Sequence, residues 1–289
     1  MPSKDVSTES AAVLDMERLE KALPQLRARY RAAAPFPHIV LDGFLRPEVA
    51  ERATDEFPAV DRESWINYVH VNERKYGNRL PETWGRTLQS VAKSLNSPQF
   101  VALLSELTGI AGLLPDESME GGGLHQSFAG GFLNIHADFT VHPHHRSWRR
   151  RVNLLLYFNR DWPPEYGGNL ELWSADMKHR EHTIAPVGNR VVIFNTDADA
   201  FHGHPEPVRC PVESPRRSMA LYYFTVEDNP RVRSTEYRAR PGDGPRSALI
   251  YLDKQALRAY DRVKRWMGLS DDSVSRLLKR VERFRRRRS

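Results

Sequence analysis

His136, Asp138, His202 and Arg216 are the residues of this chain whose types and order could do chemistry together. Two imidazoles and one carboxylate hold Fe(II) on one face and leave the opposite face open. The open positions suit a chelating co-substrate and O2. A planar guanidinium gives a carboxylate two parallel hydrogen bonds, so an arginine after the last histidine suits the far end of a dicarboxylate co-substrate. The His136-Ala137-Asp138 triplet alone is a weak signal in a chain with 11 histidines. On a strand, however, residues two apart leave the same face, so one short segment would supply two ligands, and the third must come from elsewhere.

The surroundings predict such strands. Phe132, Asn134, His136 and Asp138 alternate with Leu133, Ile135 and Ala137, the period of a strand running into the site. Arg151 to Phe158, Asn169 to Trp173, Arg190 to Phe194 and Arg216 to Phe224 read as four more, and His202 falls in a loop. Short strands punctuated by Gly, Pro and Asn, without amphipathic helices between them, argue an antiparallel sandwich or barrel.

From Phe36 to about Val226 the chain resembles the bacterial 2-oxoglutarate- and Fe(II)-dependent oxygenases related to prolyl 4-hydroxylases. The resemblance rests on Pro35 to Asp42, Gly121 to His125, Gly130 to Phe139, Arg150 to Trp162, Gly167 to Trp173, His202-Gly203-His204-Pro205 and Arg216-x-Ser218. It implies a mainly β fold with flanking helices around a double-stranded β-helix (jelly-roll) core. It also implies iron on His136, Asp138 and His202, with 2-oxoglutarate and O2 as co-substrates; ascorbate is a further cofactor it admits. The reaction implied is hydroxylation of an aliphatic C–H, with release of succinate and CO2. Asp138 stands where halogenating relatives carry a small residue, which favours hydroxylation. Strand alternation puts Arg216 on one face with Ser218, Ala220 and Tyr222, and Arg217 on the other. The family's Arg-x-Ser pattern also selects Arg216 for the distal carboxylate. Tyr157 and Ser218, with Asn153 as an alternative, are further candidates there, and Leu170 packs on the co-substrate's methylenes. The implied substrate is a prolyl residue or a proline-like small metabolite. The rivals are a non-catalytic metal- or ligand-binding jelly roll and a cupin-like metalloenzyme that does not use 2-oxoglutarate.

Other residues have commoner explanations. His204 is an alternative to His202, but the family's His-Gly step favours His202. His142, His144 and His145 read as solvated loop residues beside the site. Arg149 to Arg151 suit an anionic substrate but read more commonly as a strand-edge charge run, Trp162 and Trp173 read as core or rim packing, and Glu171 as structural or exposed.

The 289 residues suffice for one large core. A single cysteine, Cys210, excludes an internal disulfide framework and points to a reducing compartment. Met1 to Ser10 lacks the pattern of a secretory signal, and no apolar run reaches membrane-spanning length. A cytoplasmic enzyme is the expectation. Residues 1–35 read as a helical segment in which Pro24 should kink or divide the run, and 36–228 as the oxygenase domain with helices over Pro47–Glu56 and Gln99–Leu107. Asn67 to Leu80 is polar and reads either as a cover over the site or as an ordinary loop. Residues 229–289 read as an arginine-rich linker and a basic helical tail. From Arg258 onward twelve basic residues face four acidic ones, so the tail carries +8 of a chain whose net charge is +6. Such a tail suits an anionic partner or is a solvated helix end.

Overall fold

The computed structural model describes residues 13–244, Ser247 and Ile250. The basic helix read over 273–288 lies outside the described residues. The described elements run α1 (Met16–Ala32), β1 (His38–Leu41), α2 (Pro47–Asp55), β2 (Ile66–Val69), β3 (Glu73–Asn78), α3 (Arg86–Leu95) and α4 (Pro98–Thr108). They continue with β4 (Leu114–Pro115), β5 (Gly123–Ser127), β6 (Phe132–Ala137), β7 (Trp148–Tyr157), β8 (Leu170–Trp173) and β9 (Arg180–Ile184). The last are β10 (Val191–Asn195), β11 (His202–His204), β12 (Arg216–Val226) and β13 (Glu236–Tyr237).

The sheet curls on itself in the order β1-β10-β7-β12-β5-β3-β6-β11-β8-β9, and every pairing is antiparallel. β3 pairs with both β5 and β6, joining a larger half to a smaller one. This is a jelly-roll core with four helices on one outer face. The strands predicted at 132, 151, 169, 190 and 216 are β6, β7, β8, β10 and β12. His202 is a correction: it lies not in a loop but in the short strand β11, between β6 and β8. Three residues with two histidines and a glycine carry no periodicity to read.

The helices form where their ends are capped and one stripe is apolar. Ser97 accepts from the Phe100 amide at the start of α4, Pro98 begins the helix, and Gly109 ends it in the left-handed conformation. Phe100, Leu103, Leu104 and Leu107 then face the sheet. α1 is one continuous helix of 17 residues with Pro24 inside it, so the run is not divided there. Pro24 and Glu20, whose carbonyl loses its helical donor, are both exposed, and water can serve that carbonyl. Met16, Leu19, Leu26 and Tyr30 of α1 share one apolar core with Leu88, Leu95, Phe100 and the outer face of β7 and β12. The Tyr30 hydroxyl donates to Asn195 Oδ1 at 2.6 Å.

Asn67 to Leu80 forms the β2–β3 hairpin with a following turn, rather than a loop. From Arg231 to Arg240 the stretch read as a linker is tied to the sheet. Thr140 exchanges hydrogen bonds with the backbone of Arg231 and Arg233. Glu236 and Tyr237 pair with Ala137 and His136. No helix among the described residues is long and apolar enough to cross a membrane.

Candidate active site

Cross-strand pairing brings His136 of β6 directly opposite His202 of β11, with ring centroids 4.6 Å apart. Asp138 follows the end of β6. Its two oxygens lie 3.5 Å from His136 Nε2 and 3.5 Å from His202 Nε2, and the three candidate ligand atoms all lie within 4.8 Å of one another. The intervening Gly203 makes this possible: a Cβ there would stand 2.7 Å from the carbonyl oxygens of Leu133 and Asn134.

The tautomers follow from the partners. His136 Nδ1 meets the Asn134 carbonyl and His202 Nδ1 meets the Ala200 carbonyl, each at 2.9 Å. A carbonyl only accepts, so both Nδ1 atoms carry the proton and both Nε2 lone pairs turn inward. Burial pushes the His202 pKa down to about 4, against the pull of Asp138, so that imidazole is neutral near pH 7. Burial alone would raise the Asp138 carboxyl, but Arg150 and the two imidazoles hold it well below the usual carboxylate range. Two imidazole Nε2 atoms and a carboxylate oxygen thus converge. That donor set fits a divalent metal ion of the Fe(II) type.

These residues share a cavity of about 210 Å³ with Arg216, Ser218 and Leu170. Arg216 is buried. Its Nε donates to the Gly168 carbonyl at 2.7 Å and its Nη2 to the Tyr157 hydroxyl at 3.4 Å. Burial lowers the Arg216 pKa, while Tyr157 acts in the other direction. Among the described residues no carboxylate pairs with it, and His204 Nδ1, buried in the same cavity, meets no hydrogen-bond partner. Burial, with Arg216 and Lys75 nearby, keeps His125 and His204 well below the ordinary imidazole value. A buried guanidinium without a counter-charge, beside neutral imidazoles, fits the distal carboxylate of a diacid.

The sequence candidates therefore divide. His136, Asp138, His202, Arg216, Ser218 and Leu170 all line one cavity. Tyr157 is fully buried and touches Arg216, but it is not among the lining residues. Asn153 does not stand at the Arg216 end; its Nδ2 donates to Asp138 Oδ2 at 2.8 Å. His204 stays outside the converging triad.

Arg150 is the cavity residue that the sequence reading set below a plain charge run. Arg149 and Arg151 do form a charge run, pairing with Glu227 and Asp197. Arg150 is instead 1% exposed and lines the cavity. The cause is a bulge: Tyr223 pairs with Val152 and Phe224 with Arg150, so Arg151 is an extra residue in β7. The usable signal was a stretch of three arginines in a strand that elsewhere alternates. His142 is a further correction. It is 1% exposed rather than solvated, lies 3.4 Å from Asp116, and packs on Trp148 and Phe224. His144 and His145 are exposed as expected. Glu171 is buried and structural, accepting from Trp173 Nε1 and Arg180.

The sides of the cavity are closed by Tyr68, Glu73 and Lys75 of the β2–β3 hairpin and by Thr235 and Tyr237. Sequence reasoning left the hairpin open as a cover and gave the 229–240 stretch no part in the site. Two residues of β13 offer no periodicity.

Residues 122–224 match the family model described as the 2OG-Fe(II) oxygenase superfamily. No curated protein matches the chain. Among solved structures, a prolyl hydroxylase from Trichoplax adhaerens, in complex with a hypoxia inducible factor peptide fragment, is 16% identical with a TM-score of 0.53. That match covers 73% of this chain and 92% of that one, and it shows a shared fold. A prolyl-4-hydroxylase from Pseudomonas putida is 19% identical over 71% of this chain and 100% of that one, with a TM-score of 0.49. HygX from Streptomyces hygroscopicus, with nickel, 2-oxoglutarate and hygromycin B bound, is 14% identical over 69% and 87%, with a TM-score of 0.45.

Proposed function

We propose that the protein is an Fe(II)- and 2-oxoglutarate-dependent dioxygenase that hydroxylates an aliphatic C–H. The observation that carries the proposal is the convergence, in one cavity, of two imidazole Nε2 atoms, a carboxylate and a guanidinium with no carboxylate partner among the described residues. His136, Asp138 and His202 would hold the metal through Nε2, a carboxylate oxygen and Nε2. Arg216 would take the distal carboxylate of 2-oxoglutarate, Ser218 would add a hydroxyl, and Leu170 would pack on the methylenes. Tyr157 fixes the guanidinium from behind, so we assign it to orienting Arg216. The bound iron supplies oxidative decarboxylation of 2-oxoglutarate to succinate and CO2, coupled to C–H oxidation.

The chain's own residues shield and position. Two backbone carbonyls lock the imidazole tautomers, and Asn153 and Arg150 fix the carboxylate. Tyr68 and Tyr237 help enclose the cavity and keep water from the reacting centre. A cytoplasmic setting, with its supply of Fe(II) and 2-oxoglutarate, suits these requirements.

The test is an anaerobic titration with Fe(II) and then 2-oxoglutarate, following the weak visible charge-transfer band, with succinate measured after oxygen is admitted. A saturable band and substrate-stimulated succinate are expected. In Arg216→Gln the 2-oxoglutarate midpoint should rise by about tenfold or more, the scale of a lost charge-assisted hydrogen bond. An unaltered midpoint, or no band in the parent protein, would refute the assignment.

A further inference from the structure

Arg150 is a third cation of the cavity, beside Lys75 and Arg216, and holding metal and co-substrate does not account for all of it. Its guanidinium lies 3.4 Å from the centroid of the Tyr222 ring and 4.6 Å from that of Phe139. Nε donates to Asn153 Oδ1 at 2.9 Å. Nη2 stands 3.1 Å from Asp138 Oδ2, a contact between charges rather than a hydrogen bond. That nitrogen is buried and no acceptor meets it. A buried charged donor without an acceptor is costly. If its only purpose were to orient Asp138, Asn153 already does so through a well-aligned hydrogen bond.

Charge balance points the same way. The lining holds three cations, Lys75, Arg150 and Arg216, and two carboxylates, Glu73 and Asp138. A divalent ion and a dicarboxylate co-substrate cancel one another. One positive charge then remains in a space walled by Phe139, Leu133, Leu155, Leu170 and Tyr222, where net charge is unfavourable. Lys75 has Glu73 at 3.1 Å and Arg216 faces the co-substrate. Asp138 lies against Arg150 and would also ligate the metal, so it cannot neutralise both, and the surplus sits at Arg150.

Resting on the oxygenase reading above, we propose that the substrate carries a single carboxylate, held by the Arg150 guanidinium where it borders the cavity beside Phe139 and Tyr222. This selects a small free acid over a residue inside a peptide, which brings no charge to that position. A dianion such as a phosphate monoester would overshoot the balance.

The experiment uses carboxylates against their neutral amides of nearly the same shape: acetate against acetamide, butanoate against butanamide, and cyclopentanecarboxylate against cyclopentanecarboxamide. Each is titrated anaerobically into full-length protein saturated with Fe(II) and 2-oxoglutarate, and the shift of the visible band is followed. The same probes are titrated into metal-free protein, following the thermal unfolding midpoint. Half-saturation by the acids should lie at least about tenfold below that of the amides. Arg150→Gln should erase the preference and Arg150→Lys should restore part of it. A saturable 2-oxoglutarate band in Arg150→Gln, at whatever midpoint, shows that the variant is folded and loaded; without one, the acid–amide comparison on the parent protein decides alone. Acids and amides acting alike on the parent protein, including neither acting at all, would overturn the proposal without reference to any variant. So would an acid preference that survives Arg150→Gln. If 2-oxoglutarate gives no band, the oxygenase reading fails, and the metal-free titration still decides whether Arg150 binds carboxylates.

Discussion

The two faces of the β7–β12 pair are built from alternate residues of the same two strands, yet they meet opposite surroundings. Val152, Leu154 and Leu156, with Met219, Leu221 and Tyr223, point at the helices and lie in the main apolar core. Asn153 and Leu155, with Arg216, Ser218, Ala220 and Tyr222, line the cavity. On the helix side the one polar atom in this group, the Tyr223 hydroxyl, is satisfied by the Leu95 carbonyl at 2.9 Å. On the cavity side Arg150 Nη2 is left without an acceptor. A strand period of two delivers scaffold and site together, and a slip of one residue would exchange them. The bulge at Arg151 makes a limited use of that rule, moving Arg150 into the cavity without disturbing Val152 or Leu154. One face supplies stability, and the other holds charge that burial disfavours.

The contrast breaks most visibly at Asp138. Asp138→Ala removes the one carboxylate of the proposed metal site and leaves Arg150 without its counter-charge. Breaking a buried pair from one side costs about 3–5 kcal/mol, so the unfolding midpoint of the metal-free protein should fall. Added Fe(II) under anaerobic conditions, or Mn(II) as a redox-stable stand-in, should no longer raise it. A variant that Fe(II) stabilises as well as it does the parent would place the metal elsewhere.

On the helix side the expected loss is somewhat smaller and of another kind. Leu154 is fully buried among the helices, and Leu154→Ala should cost about 3 kcal/mol through lost burial and the cavity left behind. Its metal-dependent rise in unfolding midpoint and its 2-oxoglutarate midpoint should match those of the parent. If metal response fell along with stability, the two faces would be coupled rather than separable.

The same contrast decides what could be read from sequence. Alternation marked β6, apolar runs bounded by Gly, Pro and Asn marked β7, β8, β10 and β12, and the strand period placed Arg216, Ser218 and Tyr222 on one face. His136 and Asp138 were legible for the same reason. Where the period fails, so did the reading. Arg150 enters through a bulge, β11 and β13 have three and two residues, and Asn153 points at Asp138 rather than at Arg216. Pro24 misled in the other direction, because propensity counts a lost hydrogen bond without knowing that the freed carbonyl belongs to an exposed residue. His142 lies in a loop as expected, but reads as solvated because its partner Asp116 is distant in sequence and no local pattern announces the pair.

The smallest expected effect tests how finely the cavity side is set. Gly168 adopts a φ of +66°, and a Cβ there would lie 2.9 Å from Arg216 Cδ and 3.1 Å from a Val208 methyl. Its carbonyl is also the acceptor for Arg216 Nε. Gly168→Ala should cost about 1–2 kcal/mol in backbone strain. Because the added methyl presses on the methylenes of Arg216, the guanidinium must also shift by a few tenths of an ångström. Such a shift weakens a two-pronged hydrogen bond without abolishing it. The 2-oxoglutarate midpoint should therefore rise several-fold, less than in Arg216→Gln, while Fe(II)-dependent stabilisation stays at the parent's value, since no metal ligand touches Gly168. If strain appears but the 2-oxoglutarate midpoint does not move, Arg216 does not depend on the glycine for its position. If Fe(II) stabilisation falls as well, the two ends of the cavity are mechanically linked through β8.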